Sequence, residues 1–157
     1  MYAGNSGNAT PRNVTKGGEK AVTESMKERS IERIQVSGAP RPGGPYSPAV
    51  RAGDFLFVSG QGPVEPSTGN MQAEASVQYQ TRLVLRNIET ILRGCGAEMK
   101  DVVKCSVFLL DAADFSAMNE VYAEVFGSDK PARTTIAAGM VAPGMKVEID
   151  CVAYRPR

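Results

Sequence analysis

DVVKCSVFLLDAADFSAMNEVYAEVFGSDKPARTT, residues 101–135, is the stretch that decides the fold. It reads as strand, helix, strand. Over 101–110 the side chains alternate, with Val103, Cys105, Val107 and Leu109 on one face and Lys104, Ser106 and Phe108 on the other. Phe115, Met118, Tyr122, Val125 and Phe126 then recur at helical spacing. Asp111 or Asp114 can cap that helix at its start, and Gly127 can stop it. A strand near 133–138 follows. Crossovers of this kind are right-handed, which sends their helices to a single face of the sheet.

Working outward, residues 146–154 form a last strand after a Val-Ala-Pro-Gly turn. Val147, Ile149, Cys151 and Ala153 suit the helix side, leaving Glu148, Asp150, Val152 and Tyr154 for the other. Upstream, Val77, Thr81, Val84, Ile88 and Ile91 mark one face of a helix over 74–93, with Arg82, Arg86 and Glu89 off that stripe. Gly94-Cys95-Gly96 supplies its stop. FLFVSGQ, 55–61, reads as a buried strand and IERIQV, from Ile31, as an edge strand. In GAPRPGGPYSPAV, from Gly38, proline and glycine are too dense for a helix or a central strand. The order is β-β-β-α-β-α-β-β, an α/β (α+β) domain over residues 31–157. Both helices cover one face, so the other must meet another subunit rather than water.

Residues 1–30 are rich in Gly, Asn, Ser, Thr and Lys and poor in apolar side chains. Such a segment cannot bury enough surface to offset its ordering entropy, and it reads as a disordered or loosely docked extension. Glu19, Glu24 and Glu28 count against a mitochondrial transit peptide and favour a cytoplasmic protein. Cys95, Cys105 and Cys151 are odd in number and lack CxxC spacing, which argues against a disulfide framework or a zinc site. A net charge of +1 argues against nucleic acid as a partner, and no apolar run is long enough to span a membrane. RPGGP lacks the strand-to-helix context of a phosphate loop.

The chain has no histidine. Acid–base chemistry near neutral pH must therefore come from a carboxylate, a thiol, a lysine or water. Arg133 and Glu148 lie on the two last strands. A cation and a carboxylate on one sheet face could bind an anionic substrate and move a proton, and an adjacent Arg133 would hold the Glu148 pKa down until a substrate carboxylate screened it.

GPYSPAV, FLFVSGQGPVEPSTG, LRNIETIL, DVVKCSVFLLDAADFSAMNEVYAEVF, PARTT and VEIDCVAY occur in that order. From about Gly38 to Arg157 the chain closely resembles the RidA/YjgF family of imine and enamine deaminases. The resemblance implies a chorismate-mutase-like subunit: a single mixed sheet of about six strands with two helices on one face. It further implies a homotrimer with its sites in the clefts between subunits, and no metal or organic cofactor. The implied activity is hydrolysis of reactive 2-imino or 2-enamino acids, such as 2-aminoacrylate, to 2-keto acids and ammonia.

Residue by residue, Arg133 falls on the family's carboxylate-binding arginine and Glu148 on its water-activating glutamate. Tyr46, Ser59, Gly60 and Asn119 fall on substrate-binding positions. Thr135 stands where many members have cysteine, so thiol chemistry is not expected there. Ser59 and Gly60 are expected to offer a hydroxyl and a backbone N–H, and Tyr46 an aromatic wall. The plainer roles are an interface ion pair for Arg133, a solvated strand position for Glu148, packing for Tyr46 and core volume for Cys105 and Cys151. Two other functions are open: a non-catalytic binder of small carboxylates, and a ribonuclease or translation inhibitor, against which the near-neutral charge and the absence of histidine weigh.

Overall fold

The computed structural model describes residues 31–157; the extension read over 1–30 lies outside the described residues. Six strands form one sheet: β1 (Ile31–Ile34), β2 (Ala49–Ala52), β3 (Phe55–Gln61), β4 (Val102–Leu109), β5 (Ala132–Ala137) and β6 (Val147–Tyr154). Two helices, α1 (Val77–Gly94) and α2 (Phe115–Phe126), complete the domain. The spatial order is β1-β2-β3-β6-β4-β5. Only β4 and β5 pair in parallel, as the crossover through α2 requires. The mixed α+β sheet and the element order are those expected.

The core lies between the sheet and the helices. All five stripe residues of α1 are buried in it, as are Val147, Ile149, Cys151 and Ala153 of β6. Ser76 caps α1, its side chain accepting from the Tyr79 N–H, and Gly96 adopts φ +76° beyond the C-terminus. Asp111 accepts from the Ala113 N–H and so caps a short turn before α2, whereas Asp114 makes no capping bond.

Four details depart from the sequence reading. Ala49 to Ala52, at the end of the proline- and glycine-rich run, form β2, which is internal to the sheet. The breakers stop at Pro48, and Ala49 and Arg51 face the core, which fixes that register. Val103 is exposed and Val102 buried in its place, because an extra β4 residue between the pairs Val102–Ala153 and Lys104–Val152 forms a bulge. Phe115, expected within the apolar stripe of α2, remains largely exposed. Finally, β5 and β6 are joined by a turn but are not neighbours; β4 lies between them.

The face away from the helices is bare. Phe55, Phe57, Ile136 and Tyr154 are each more than two-fifths exposed on it or at its margins, and Phe55 packs against Tyr154 with ring centroids 5.2 Å apart. No helix among the described residues is long and apolar enough to cross a membrane.

Candidate active site

Glu148 sits on the bare face of β6, in register with Phe108 of β4. On the other side of β6 the ladder to β3 is irregular. Val58 pairs with Cys151 and Gln61 with Ile149, so three steps on β3 match two on β6. The resulting bulge holds Ser59 and Gly60, and it turns their backbone towards Glu148. Gly60 is required there: a Cβ at that position would overlap Glu148 Oε1 and lie 3.0 Å from its Cδ. The bulge is tied to the preceding loop by two bonds. The Ser59 N–H donates to the Pro48 carbonyl (3.0 Å) and the Ser59 hydroxyl donates to the Ser47 carbonyl (2.7 Å). The Ser59 proton is therefore committed, and its oxygen faces a ligand as an acceptor rather than as the expected donor.

The same two bonds place Tyr46, whose hydroxyl accepts from the Gly43 N–H at 3.1 Å. Tyr46, Ser59, Gly60 and Glu148 line one cavity of ≈ 520 Å³. Desolvation by burial raises the Glu148 pKa above the ordinary carboxylate range, and the charge of Asp150, two residues along the same face, adds to the rise. Among the described residues no cation or hydrogen-bond donor opposes it.

Arg133 is elsewhere. Its Cα pairs with that of Cys105, a core residue, so it faces the helices, while Glu148 faces away from them. Its guanidinium lies over the Tyr122 ring at 4.6 Å and the Phe115 ring at 5.7 Å, which explains why Phe115 stays at the surface. Arg133 has no ion-pair partner among the described residues. Asn119 stands between Phe115 and Tyr122 on the same stripe of α2, at the i, i+4, i+7 spacing. Thr135 follows Arg133 on the same face of β5, and its buried hydroxyl has no hydrogen-bond partner. The Tyr122 hydroxyl is also buried and without a partner, near the Cys105 thiol, and its pKa is pushed far up by burial.

The seven sequence-derived residues thus fall into two sets. Tyr46, Ser59, Gly60 and Glu148 share a cavity; Arg133, Asn119 and Thr135 share the α2–β5 edge. The expected single sheet face carrying both Arg133 and Glu148 does not exist within one chain, because an odd register offset puts them on opposite sides of the sheet. The expected lowering of the Glu148 pKa by Arg133 is likewise replaced by a rise.

Two buried residues of α1 that the sequence reading passed over hold the cavity walls. Gln80 Nε2 donates to the carbonyls of Gln72 (2.8 Å) and Gly144 (2.9 Å), and its Oε1 accepts from the Lys146 N–H (2.8 Å). Asn87 Nδ2 donates to the Val64 carbonyl at 2.9 Å. Their spacing was a usable signal, since Val77, Gln80, Val84, Asn87 and Ile91 run i, i+3, i+7, i+10, i+14 down the buried face.

Comparison with known proteins identifies the family. The family model described as Endoribonuclease L-PSP matches residues 36–155. A RutC family protein of Pyrococcus horikoshii is 45% identical over 124 residues, 79% of this chain and 98% of its own. The chloroplastic Reactive Intermediate Deaminase A of Arabidopsis thaliana is 40% identical over 133 residues, 85% of this chain and 71% of its own. Among solved structures, E. coli TdcF with bound serine superposes with a TM-score of 0.74 at 36% identity, covering 79% of this chain and 98% of that one.

Proposed function

Because the chain belongs to the L-PSP family, that of RidA and YjgF, we propose that it is a hydrolytic deaminase of 2-imino and 2-enamino acids, working as a homotrimer whose subunits share each site. The carrying observation is Glu148: a half-buried carboxylate with a raised pKa, at the floor of a cavity, and without an opposing cation in its own chain. Such a group can take and return a proton, which a chain without histidine needs. Arg133 supports the assembly. It is stacked, half-exposed and unpaired on the other side of the sheet, which leaves it available to a cavity belonging to a neighbour. The apolar bare face around Phe55, Phe57 and Tyr154 supplies the surface for that neighbour.

In this reading the neighbour's Arg133 grips the substrate carboxylate through two parallel hydrogen bonds, with Asn119 and the unpartnered Thr135 hydroxyl beside it. The bound carboxylate screens Arg133, so Glu148 keeps the basicity that burial and Asp150 give it. Water adds to the carbon of the protonated imine as Glu148 accepts its proton, and the nitrogen becomes a neutral amine. Glu148 then returns the proton to that nitrogen, the C–N bond breaks as Glu148 takes up the hydroxyl proton, and ammonia leaves a 2-keto acid. The Ser59 oxygen can accept from the nitrogen as it gains protons.

Mixing inactive variants tests both halves at once. Arg133→Ala and Glu148→Ala should each abolish turnover. After subunit exchange in an equal mixture, about a quarter of the clefts between subunits join an intact Arg133 to an intact Glu148, so about a quarter of the activity should return. No recovery from exchanged subunits would show that each site lies within one chain. Binding of a 2-keto acid without any imine turnover would instead identify a non-catalytic binder. RNA cleavage that survives in the Arg133→Ala protein would point to a different site.

A further inference from the structure

We infer that the cavity above Glu148 selects 2-imino acids with long apolar side chains, of the leucine and methionine type, over those derived from alanine. This rests on the deaminase reading of the same site. Beyond the Glu148 carboxyl the cavity lining includes Val64, Met71, Ala142 and Met145, with the exposed Val141 at its rim. Apart from Glu148, the one formal charge in the lining is Arg41, which is exposed. The amide nitrogen of Gln61 is already committed, donating to the Ser59 and Gly60 carbonyls, so Gln61 offers a ligand no donor. What remains for a ligand on that side is mainly apolar surface.

A substrate with a methyl side chain would leave that surface wet. At ≈ 520 Å³ the cavity falls in the size range of pockets that enclose ligands far larger than 2-iminopropanoate. The cavity is also built to stay open. Gln80 ties the 144–146 loop to α1 by two hydrogen bonds and reaches the Gln72 carbonyl with a third, and Gly144 packs so closely on Ala73 that a side chain there would collide. The Val64–Met71 bridge closes the other loop. Within this frame the two methionines are the adaptable elements, since an unbranched thioether can follow the outline of different side chains.

Gly62 gives a handle on the wall. An added Cβ would stand 2.9 Å from Met145 Sδ and 3.9 Å from Met71 Cε. Gly62→Ala therefore adds a methyl to the lining and forces Met145 to shift, without asking the backbone for a positive φ.

The test compares kcat/KM for imines generated in situ from alanine, leucine, methionine and glutamate, in wild type and Gly62→Ala. Calorimetric titration with pyruvate and 4-methyl-2-oxopentanoate runs alongside. The expected leucine-to-alanine ratio is about tenfold or more in wild type, since a methylene in an apolar pocket discriminates at this level or above. Gly62→Ala should reduce that ratio about tenfold. A flat ratio in an active enzyme overturns the inference and leaves the deaminase reading standing, as does a preference for the glutamate-derived imine through Arg41. Absence of any turnover overturns the deaminase reading, and tighter binding of 4-methyl-2-oxopentanoate than of pyruvate would still support the apolar subsite. Should Gly62→Ala not fold, the wild-type ratio and the two titrations decide the matter.

Discussion

Gly60→Ala isolates the position of the Glu148 carboxyl from its chemistry. The backbone at Gly60 has no positive φ, so alanine is not excluded by strain. The whole effect is steric. The new Cβ would overlap Glu148 Oε1 and come within 3.0 Å of Cδ and 3.3 Å of Cγ, where ordinary contact begins at 3.4 Å. The carboxyl must swing aside by about 1 Å or more, and a displacement of that size at a reacting group costs on the order of 10²-fold in rate. That is about 2.7 kcal/mol of barrier. Glu148 is a half-exposed side chain free to rotate, so the fold should lose little. The assay is kcat for a 2-imino acid together with a thermal melt, on wild type, Gly60→Ala, Glu148→Gln and the double variant. The expected outcome is a kcat drop of about 10²-fold with Tm nearly unchanged, and a double variant no worse than Glu148→Gln alone, because both changes act through one group. If Gly60→Ala keeps kcat within about threefold of wild type, the carboxyl does not work from where the bulge puts it. Additive losses in the double variant would refute the argument in another way, by giving Gly60 a role apart from Glu148.

Asp150→Asn removes the charge that helps to raise the Glu148 pKa, so the acid limb of the kcat/KM profile should move to lower pH. The same change should stabilise the fold near neutral pH: a carboxylate whose folded pKa is raised loses stability as pH climbs from the ordinary carboxylate range through the raised value, and Asp150→Asn narrows that window; urea titrations across the window check the sign. Gln80→Leu removes three hydrogen bonds of 2.8–2.9 Å and leaves the Lys146 N–H and the Gly144 carbonyl unpaired. At about 1 kcal/mol for each bond the loss is about 3 kcal/mol, measured by urea denaturation, with a raised KM as the 144–146 wall loosens. Arg51→Met should cost a similar amount, about 3 kcal/mol, because the buried guanidinium donates to the carbonyls of Cys95 (2.8 Å) and Arg155 (3.1 Å). Both stability predictions fail if the midpoints match wild type.

The parts of this fold that were legible are those governed by one element at a time. Alternation in 146–154 assigned the two faces of β6, and spacing in α1 picked out its buried stripe, because both patterns follow from backbone geometry alone. The parts that were not legible depend on a partner strand. Nothing in VKCS marks Val103 as an extra residue; that follows from the register between β4 and β6. The bulge at Ser59-Gly60 is set the same way by β6. Gln80 and Asn87 were missed because a polar residue on a buried stripe reads as a flaw in the pattern until the loops that take its hydrogen bonds are known.

The largest difference concerns Arg133 and Glu148, and it carries a physical consequence. Closeness in sequence and a shared sheet suggested a pair on one face. Had they met within one chain, each would have been the other's counter-ion: the carboxylate would have been held ionised and the guanidinium occupied before any substrate arrived. Strand insertion prevents this. With β4 between β5 and β6 and an odd register offset, the cation is delivered to α2 and the carboxylate to the bare face. Each is then prepared by its own surroundings, Arg133 by the rings of Tyr122 and Phe115, Glu148 by burial and Asp150. In the proposed trimer the two meet only across a subunit boundary, where a ligand carboxylate can stand between them. The folded single chain would therefore be stable and inactive, and activity should fall on dilution at protein concentrations where circular dichroism still reports an intact fold.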